Sequence, residues 1–223
     1  KMSSRTGNVL TGEWLLNEAK GRLKSAYPDM EPETLEMVTV GAIKWALLRS
    51  GVGKDISFNI DESISFEGDS GPYIQYTFAR TQSVISKWQM ANGKWSNDNH
   101  KLLAISYMPT SEELALLKLI VRFDEVVTEA AEHFSPNTIT NYLFDLAQAF
   151  NLFYQKQRIL DPLPVIPAKE GIQENGSPIG VGDDTPKVQN DNVRNFRLAI
   201  TQATGKTLKK GLYLLGIKAP EKM

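Results

Sequence analysis

Ser65–Arg80 reads SFEGDSGPYIQYTFAR. The stretch opens as a turn and closes as a helix. Gly68, Asp69, Ser70 and Gly71 are turn formers, and Pro72 suits a first helical turn, where its missing N–H has no partner to lose. From Tyr73 to about Met90 the pattern has two faces. Ile74, Phe78, Ile85 and Trp88 fall on one; Tyr73, Tyr76, Arg80, Ser83 and Lys87 fall on the other. Such a helix commits one side to a core and offers the other to something polar. Gly93 ends it.

Helical periodicity continues on both sides. Upstream, Glu13–Ala26 is an amphipathic helix with Trp14, Leu15, Ala19 and Leu23 facing in, stopped by Pro28. A second runs from Glu31 to about Arg49, with Leu35, Val38, Ala42, Ala46 and Leu47 inward, and ends at Gly51 and Gly53. Asp55–Phe66 (DISFNIDESISF) alternates apolar and polar residues and reads as the one extended stretch. Downstream, Ser111 is placed as an N-cap before Glu112 and Glu113, and apolar residues recur to Phe134. Thr138–Gln157 is strongly helical, with Ile139, Leu143, Leu146, Phe150 and Phe153 inward. Val193–Ala203 and Lys206–Leu215 form two more helical segments, with Gly216 as the glycine past the last helix. Asp161–Asn192 is rich in proline and glycine and reads as a mobile insertion. The expected fold is all-α, in two parts: a small N-terminal segment, 1–67, and a helical bundle, 68–223.

Composition narrows the chemistry. The chain has 223 residues, a net charge of -1, two histidines and no cysteine. Disulfides, thiolate zinc sites and cysteine nucleophiles are excluded. A nucleic-acid binder this neutral needs a local basic patch. No apolar run approaches the roughly 18 residues of a membrane span; the default expectation is a soluble cytoplasmic protein. His100 and His133 lack a histidine partner at catalytic or metal-binding spacing, so both read as surface or capping residues and no metal site is expected. GVGK at Gly51–Lys54 lacks full phosphate-loop spacing and is followed by Asp55, so it reads as a helix-ending turn.

Four ordered motifs carry a family likeness: KMSSRTGN (Lys1–Asn8), SFEGDSGPYIQYTFAR, NYLFDLAQAFNLFY (Asn141–Tyr154) and LKKGLYLLGIKAPEKM (Leu208–Met223). Together they resemble the C-terminal portion of bacterial-type arginyl-tRNA synthetase, a class I synthetase, over nearly the whole chain except the insertion. The resemblance implies a helical anticodon-binding bundle and a partner, tRNA for arginine, held at its anticodon stem-loop. It places Tyr73, Tyr76, Arg80, Tyr154 and Met223 around the anticodon. It makes Lys1, Ser3, Ser4 and Arg5 a KMSKS-like loop that contacts ATP in the full-length enzyme, where arginine is activated with ATP and magnesium and passed to the tRNA. Ser4 stands where the general signature has its second lysine, followed by Arg5.

The polar opening Lys1–Asn8 reads as a cut just before the catalytic loop; no HIGH motif is present, so the chain is expected to be inactive alone, and it is expected to be monomeric and without a cofactor of its own. On the residues alone, Tyr73 and Tyr76 also fit half-buried bundle positions, and Lys1–Arg5 also fits a solvated tail. Lys206, Lys209 and Lys210 fit either phosphate contact or a solvated face. The alternatives are a stand-alone helical interaction module that kept a synthetase fold and lost RNA binding, and another class I synthetase of similar architecture.

Overall fold

The computed structural model describes residues 11–56, 58–92, 107–160 and 185–223. Among them it has eight helices and no strand: α1 (Gly12–Ala26), α2 (Pro32–Leu48), α3 (Ile60–Ser63), α4 (Gly71–Asn92), α5 (Ser111–Val121), α6 (Phe123–Glu132), α7 (Pro136–Lys156) and α8 (Thr185–Leu214).

The starts of these helices are local chemistry. Thr11 Oγ1 accepts the Trp14 N–H at 3.2 Å at the head of α1. Thr110 opens α5 with a capping box: its side chain takes the Glu113 N–H, and the Glu113 carboxylate takes the Thr110 N–H at 2.8 Å. Pro136 occupies the first turn of α7.

The main core forms where α4, α7 and α8 meet. Ile74 and Phe78 of α4, Leu143, Leu146, Phe150 and Phe153 of α7, and Leu198, Leu208 and Leu212 of α8 are all buried there. Trp45 of α2 joins them, with its indole N–H donated to Asp69 Oδ1 at 2.8 Å. A smaller cluster of Leu23, Leu35 and Val38 ties α1 to α2, and Ile64 and Phe66 pack against it.

Two glycines let α2 and α4 approach closely. A Cβ on Gly71 would lie 2.4 Å from the Gly41 carbonyl oxygen. A Cβ on Gly41 would lie 2.5 Å from Gln75 Oε1. Gln75 is thereby fully buried, and its amide donates to Met37 O at 3.1 Å and to Lys218 O at 2.7 Å. That second bond pins the C-terminal tail to α4.

The structure corrects several expectations. Asp55–Phe66 contains no strand among its described residues. Asn59 Oδ1 accepts the N–H groups of Asp61 at 3.0 Å and Glu62 at 3.4 Å, which folds the middle of the stretch into α3. Trp14 and Leu47 point outward, 45% and 43% exposed, because no described element covers that side of α1 and α2. The cap of α5 is Thr110, one residue before Ser111. The apolar stretch to Phe134 is two helices that meet at Arg122. The two segments expected after residue 192 are one helix that begins at Thr185, inside the expected insertion. Gly205 does not break it. A Cβ there would lie 2.5 Å from Thr81 Oγ1, so the glycine marks close contact between α8 and α4. The KMSKS-like residues Lys1, Ser3, Ser4 and Arg5, the histidine His100, and insertion positions 161–184 lie outside the described residues.

Gly71→Ala is expected to lower stability by about 1–3 kcal/mol, since backbone must move to make room. Gly21 is exposed in α1, with nothing within 4 Å of the place a methyl group would take. Gly21→Ala is expected to raise stability by about 0.5–1 kcal/mol. Urea unfolding midpoints should therefore move in opposite directions.

Candidate nucleic-acid interface

The polar edges of α4 and α7 face each other across a cleft of about 980 Å³, with the chain end beside them. Arg80 lines it. Its guanidinium carbon lies 4.7 Å from the centre of the Tyr76 ring and 5.1 Å from that of Tyr154. A planar cation flanked by two aromatic rings gains cation–π attraction from both. Arg80 Nη1 also donates to Asn151 Oδ1 at 2.5 Å. The same Asn151 amide donates from Nδ2 to the Tyr73 hydroxyl at 2.9 Å and to Thr77 Oγ1 at 3.1 Å. One α7 side chain thus fixes three α4 residues.

Tyr76, Arg80, Tyr154 and Met223 all line this cleft. Tyr73 does not. It is half-buried, its hydroxyl is taken by Asn151, and its ring tilts against Phe144 at 5.9 Å. Tyr73 faces a smaller hollow of about 570 Å³ on the far side of Tyr76 and Arg80. Tyr27, Met30, Phe66, Glu67 and Asn151 also line that hollow, and Met223 borders both.

Met223 is placed from a distance. The Ile217 N–H bonds to Leu212 O and the Gly216 N–H to Tyr213 O, both at 2.9 Å, with Gly216 at φ +66°. This Schellman closure reverses the chain as α8 ends. Lys44 Nζ then donates to Gly216 O at 2.5 Å, and Gln75 holds Lys218.

Charge is concentrated in the larger cleft. Arg80, Lys87, Lys156, Arg158 and Lys222 line it, against one carboxylate side chain among the described residues, that of Glu221. Lys156 is already committed: it donates to Glu112 at 2.6 Å, and this bond holds the Glu112 carboxyl down to about 2. Lys209 sits 3.3 Å from Glu221 and 5.7 Å from the Phe78 ring centre, and Lys210 lies 5.6 Å from that of Tyr213. Lys206, Lys209 and Lys210 do not line the cleft.

The rim of the cleft is fixed by a buried pair. Glu113 is fully buried, and its carboxylate accepts from Arg197 Nε at 2.7 Å and from the Tyr107 hydroxyl at 2.6 Å. Arg197 spends its other donors on Arg158 O at 2.9 Å and Gln157 Oε1 at 2.8 Å, the residues that follow α7, and on the Tyr107 hydroxyl at 3.3 Å. Burial pulls the Arg197 pKa down, but the bonds to Glu113 and Tyr107 more than offset it, and the net shift is upward. Burial and the Glu113 carboxylate raise Tyr107, with Arg197 opposing.

Sequence reasoning missed Asn151, Arg197 and Phe66 as parts of this site. Asn151 had a weak signal: an amide inside an otherwise apolar helical stripe needs partners. Arg197 had the same signal in its segment.

His133 is exposed at the end of α6, its Nδ1 2.9 Å from Glu129 O. Among the described residues no group of three His, Cys, Asp or Glu could hold a metal ion, and no helix is long and apolar enough to cross a membrane.

The DALR anticodon binding domain family matches residues 74–223. The chain belongs to that family. Arginine–tRNA ligase of Streptococcus suis (strain 05ZYH33) is 36% identical over 229 residues, covering 100% of this chain and 34% of the relative. The ligase of Thermus thermophilus (strain ATCC 27634) is 34% identical over 231 residues, with the same coverage of both chains. The solved Thermus thermophilus arginyl-tRNA synthetase matches with a TM-score of 0.71 at 32% identity, over 98% of this chain and 33% of that one. Arginyl-tRNA synthetase from Plasmodium falciparum shares the fold, with a TM-score of 0.69 at 20% identity over 96% of this chain and 34% of that one. The chain therefore spans about a third of the length of the curated relatives it matches.

Arg197→Met leaves Glu113 buried without its counter-charge. It is expected to cost roughly 3–5 kcal/mol, read as a lower urea midpoint.

Proposed function

We propose that this chain is the tRNA-binding part of an arginine–tRNA ligase, and that it takes the anticodon loop of tRNA for arginine into the Tyr76–Arg80–Tyr154 cleft. The observation that carries this reading is Arg80, its guanidinium within 4.7 and 5.1 Å of the centres of two tyrosine rings in the cation-lined cleft. Bases in an RNA loop are splayed and are recognised by stacking on aromatic rings and guanidinium planes. Tyr154, 40% exposed, and Met223, 38% exposed, leave apolar surface for such a base. Lys87, Arg158 and Lys222 are placed for the phosphates. Asn151 holds Arg80 in position before RNA arrives, which lowers the ordering cost of binding.

In the full-length enzyme, ATP with magnesium and arginine belong to the reaction, and Lys1, Ser3, Ser4 and Arg5 are the residues this chain would bring to the nucleotide. Their contribution is cationic and hydrogen-bonding stabilisation of charge on the triphosphate. The proposed setting is a cytoplasmic monomer.

Titration with a tRNA transcript for arginine is expected to show salt-sensitive binding. Arg80→Ala should weaken it by roughly 1–3 kcal/mol. Arg80→Lys should not restore it, because an ammonium has no planar face or fork of donors to offer the rings and Asn151. Unchanged affinity for Arg80→Ala at low and moderate salt would overturn the assignment of this face.

The pure chain is expected to show no arginine-dependent exchange of pyrophosphate into ATP, since no HIGH motif is in the sequence. Measurable exchange would contradict that expectation.

A further inference from the structure

The exposed face of α8 is basic, and the cleft does not use it. Leu208, Gly211 and Leu212 are buried against the bundle, while Lys206, Lys209, Lys210 and Tyr213 are exposed. Lys206 stands three and four residues before Lys209 and Lys210, the spacing at which like charges repel along a helix. No Asp or Glu stands three or four residues from any of these lysines to relieve them. The helix dipole does not account for the cluster, because it favours cations in the last turn, and α8 runs on to Leu214, well past Lys206. Between Lys206 and Met223 the one acidic side chain is Glu221, which meets Lys209 at 3.3 Å. The two side chains are 58% and 69% exposed, so their attraction is weak and screened by salt. The lysine cluster thus works against the helix that carries it.

Its position points to what offsets that repulsion. Glu221 lines the larger cleft and also meets Lys209, so the lysine face begins at the cleft's edge. A loop held in the cleft is the end of a hairpin, and its stem stands just outside. We infer that this face of α8 is a second RNA-contact surface, which grips the sugar–phosphate backbone of that stem, and that Glu221 occupies Lys209 until a phosphate displaces it. The inference rests on the tRNA-binding reading above. A double-stranded RNA stem shows a wide, shallow minor groove of 2′-hydroxyls, and proteins hold it by shape and backbone contacts. Lysine ammonium groups suit its phosphates as point charges. Tyr213 is 72% exposed, with Lys210 Nζ 5.6 Å from its ring centre, and its hydroxyl suits a ribose 2′-hydroxyl. Exchanging Glu221 for phosphate loses little, since the exposed pair is weak, and each phosphate neutralised releases counterions.

The test uses the whole chain and the anticodon stem–loop RNA of a tRNA for arginine. The RNA is made with its natural stem and with uncharged methylphosphonates in place of the stem phosphates. Binding is followed by fluorescence anisotropy over a range of salt. The Lys206→Ala/Lys210→Ala double variant should bind the natural stem–loop roughly tenfold more weakly, with a slope of log affinity against log salt shallower by about 2. On the methylphosphonate stem it should match the wild-type chain. Its urea midpoint should hold or rise, because the change removes repelling charges from the helix. Glu221→Gln should tighten binding to the natural stem–loop, and should lose that effect when Lys209→Ala is also present. If the double variant keeps wild-type affinity and slope while Arg80→Ala still weakens binding, the stem surface is wrong and the tRNA reading stands. An equal loss on both stems would also overturn the stem surface. If Glu221→Gln binds no tighter, the exchange at Lys209 is wrong. If the wild-type chain binds neither RNA, both readings fall.

Discussion

The amide of Asn151 carries the geometry on which the cleft depends. Its oxygen accepts from Arg80 and its nitrogen donates to Tyr73 and Thr77. Arg80 has only donors, so it fixes which end of the amide is oxygen. That leaves the NH₂ group for the two hydroxyls. One half-buried side chain thereby satisfies polar groups on two helices that otherwise meet through apolar contacts. An aspartate here would offer no donor to the hydroxyls, and a leucine would leave the guanidinium without its acceptor. Arg80 stays between the tyrosines because it is tied at its far end.

Asn151 reaches α4 only because the bundle sets the distance. Phe150, its neighbour, is fully buried, and so are Phe78 and Ile74 on the facing side of α4. The buried Arg197–Glu113 pair acts just past the C-terminal end of the same helix. Replacing such a pair with apolar residues of similar volume is often neutral for stability. Its use here is positional: Arg197 links the start of α5 to the two residues that follow α7, and Gln157 and Arg158 then line the cleft.

Most of the bundle was legible because its apolar stripes are long. Ile139, Leu143, Leu146, Phe150 and Phe153 recur at helical spacing, and each is buried. Errors arose where local pattern and tertiary context part company. The alternation in Asp55–Phe66 predicts a strand, but Asn59 caps a helical turn in its middle, and Ile64 and Phe66 are held by α1 and α2. Gly205 reads as a breaker by propensity, yet its missing Cβ is what α8 needs to lie against Thr81. Trp14 and Leu47 extend apolar stripes beyond what the described elements cover. The cleft was legible by halves. Tyr76 and Arg80 share one face of their helix at helical spacing, which periodicity reveals. Asn151 lies 71 residues from Arg80, and no local pattern reports such a pairing.

The chain's near-neutral charge and its cation-lined cleft are reconciled by where the carboxylates go. Glu112 is held by Lys156, Glu113 by Arg197, and Glu221 by Lys209. Each of these acids is thus drawn onto a cation, while Lys87, Arg158 and Lys222 line the cleft. The tail completes the arrangement. Glu221 turns toward Lys209 on α8, and Met223, two residues on, borders both hollows. A side chain so near a chain end is normally frayed. Here the Schellman closure at Gly216 and the bonds from Lys44 and Gln75 fix the path as far as Lys218. Ile217 and Pro220 are buried against the bundle. Beyond Pro220, Glu221 is held to Lys209, and Met223 lines the cleft beside Tyr76 and Arg80.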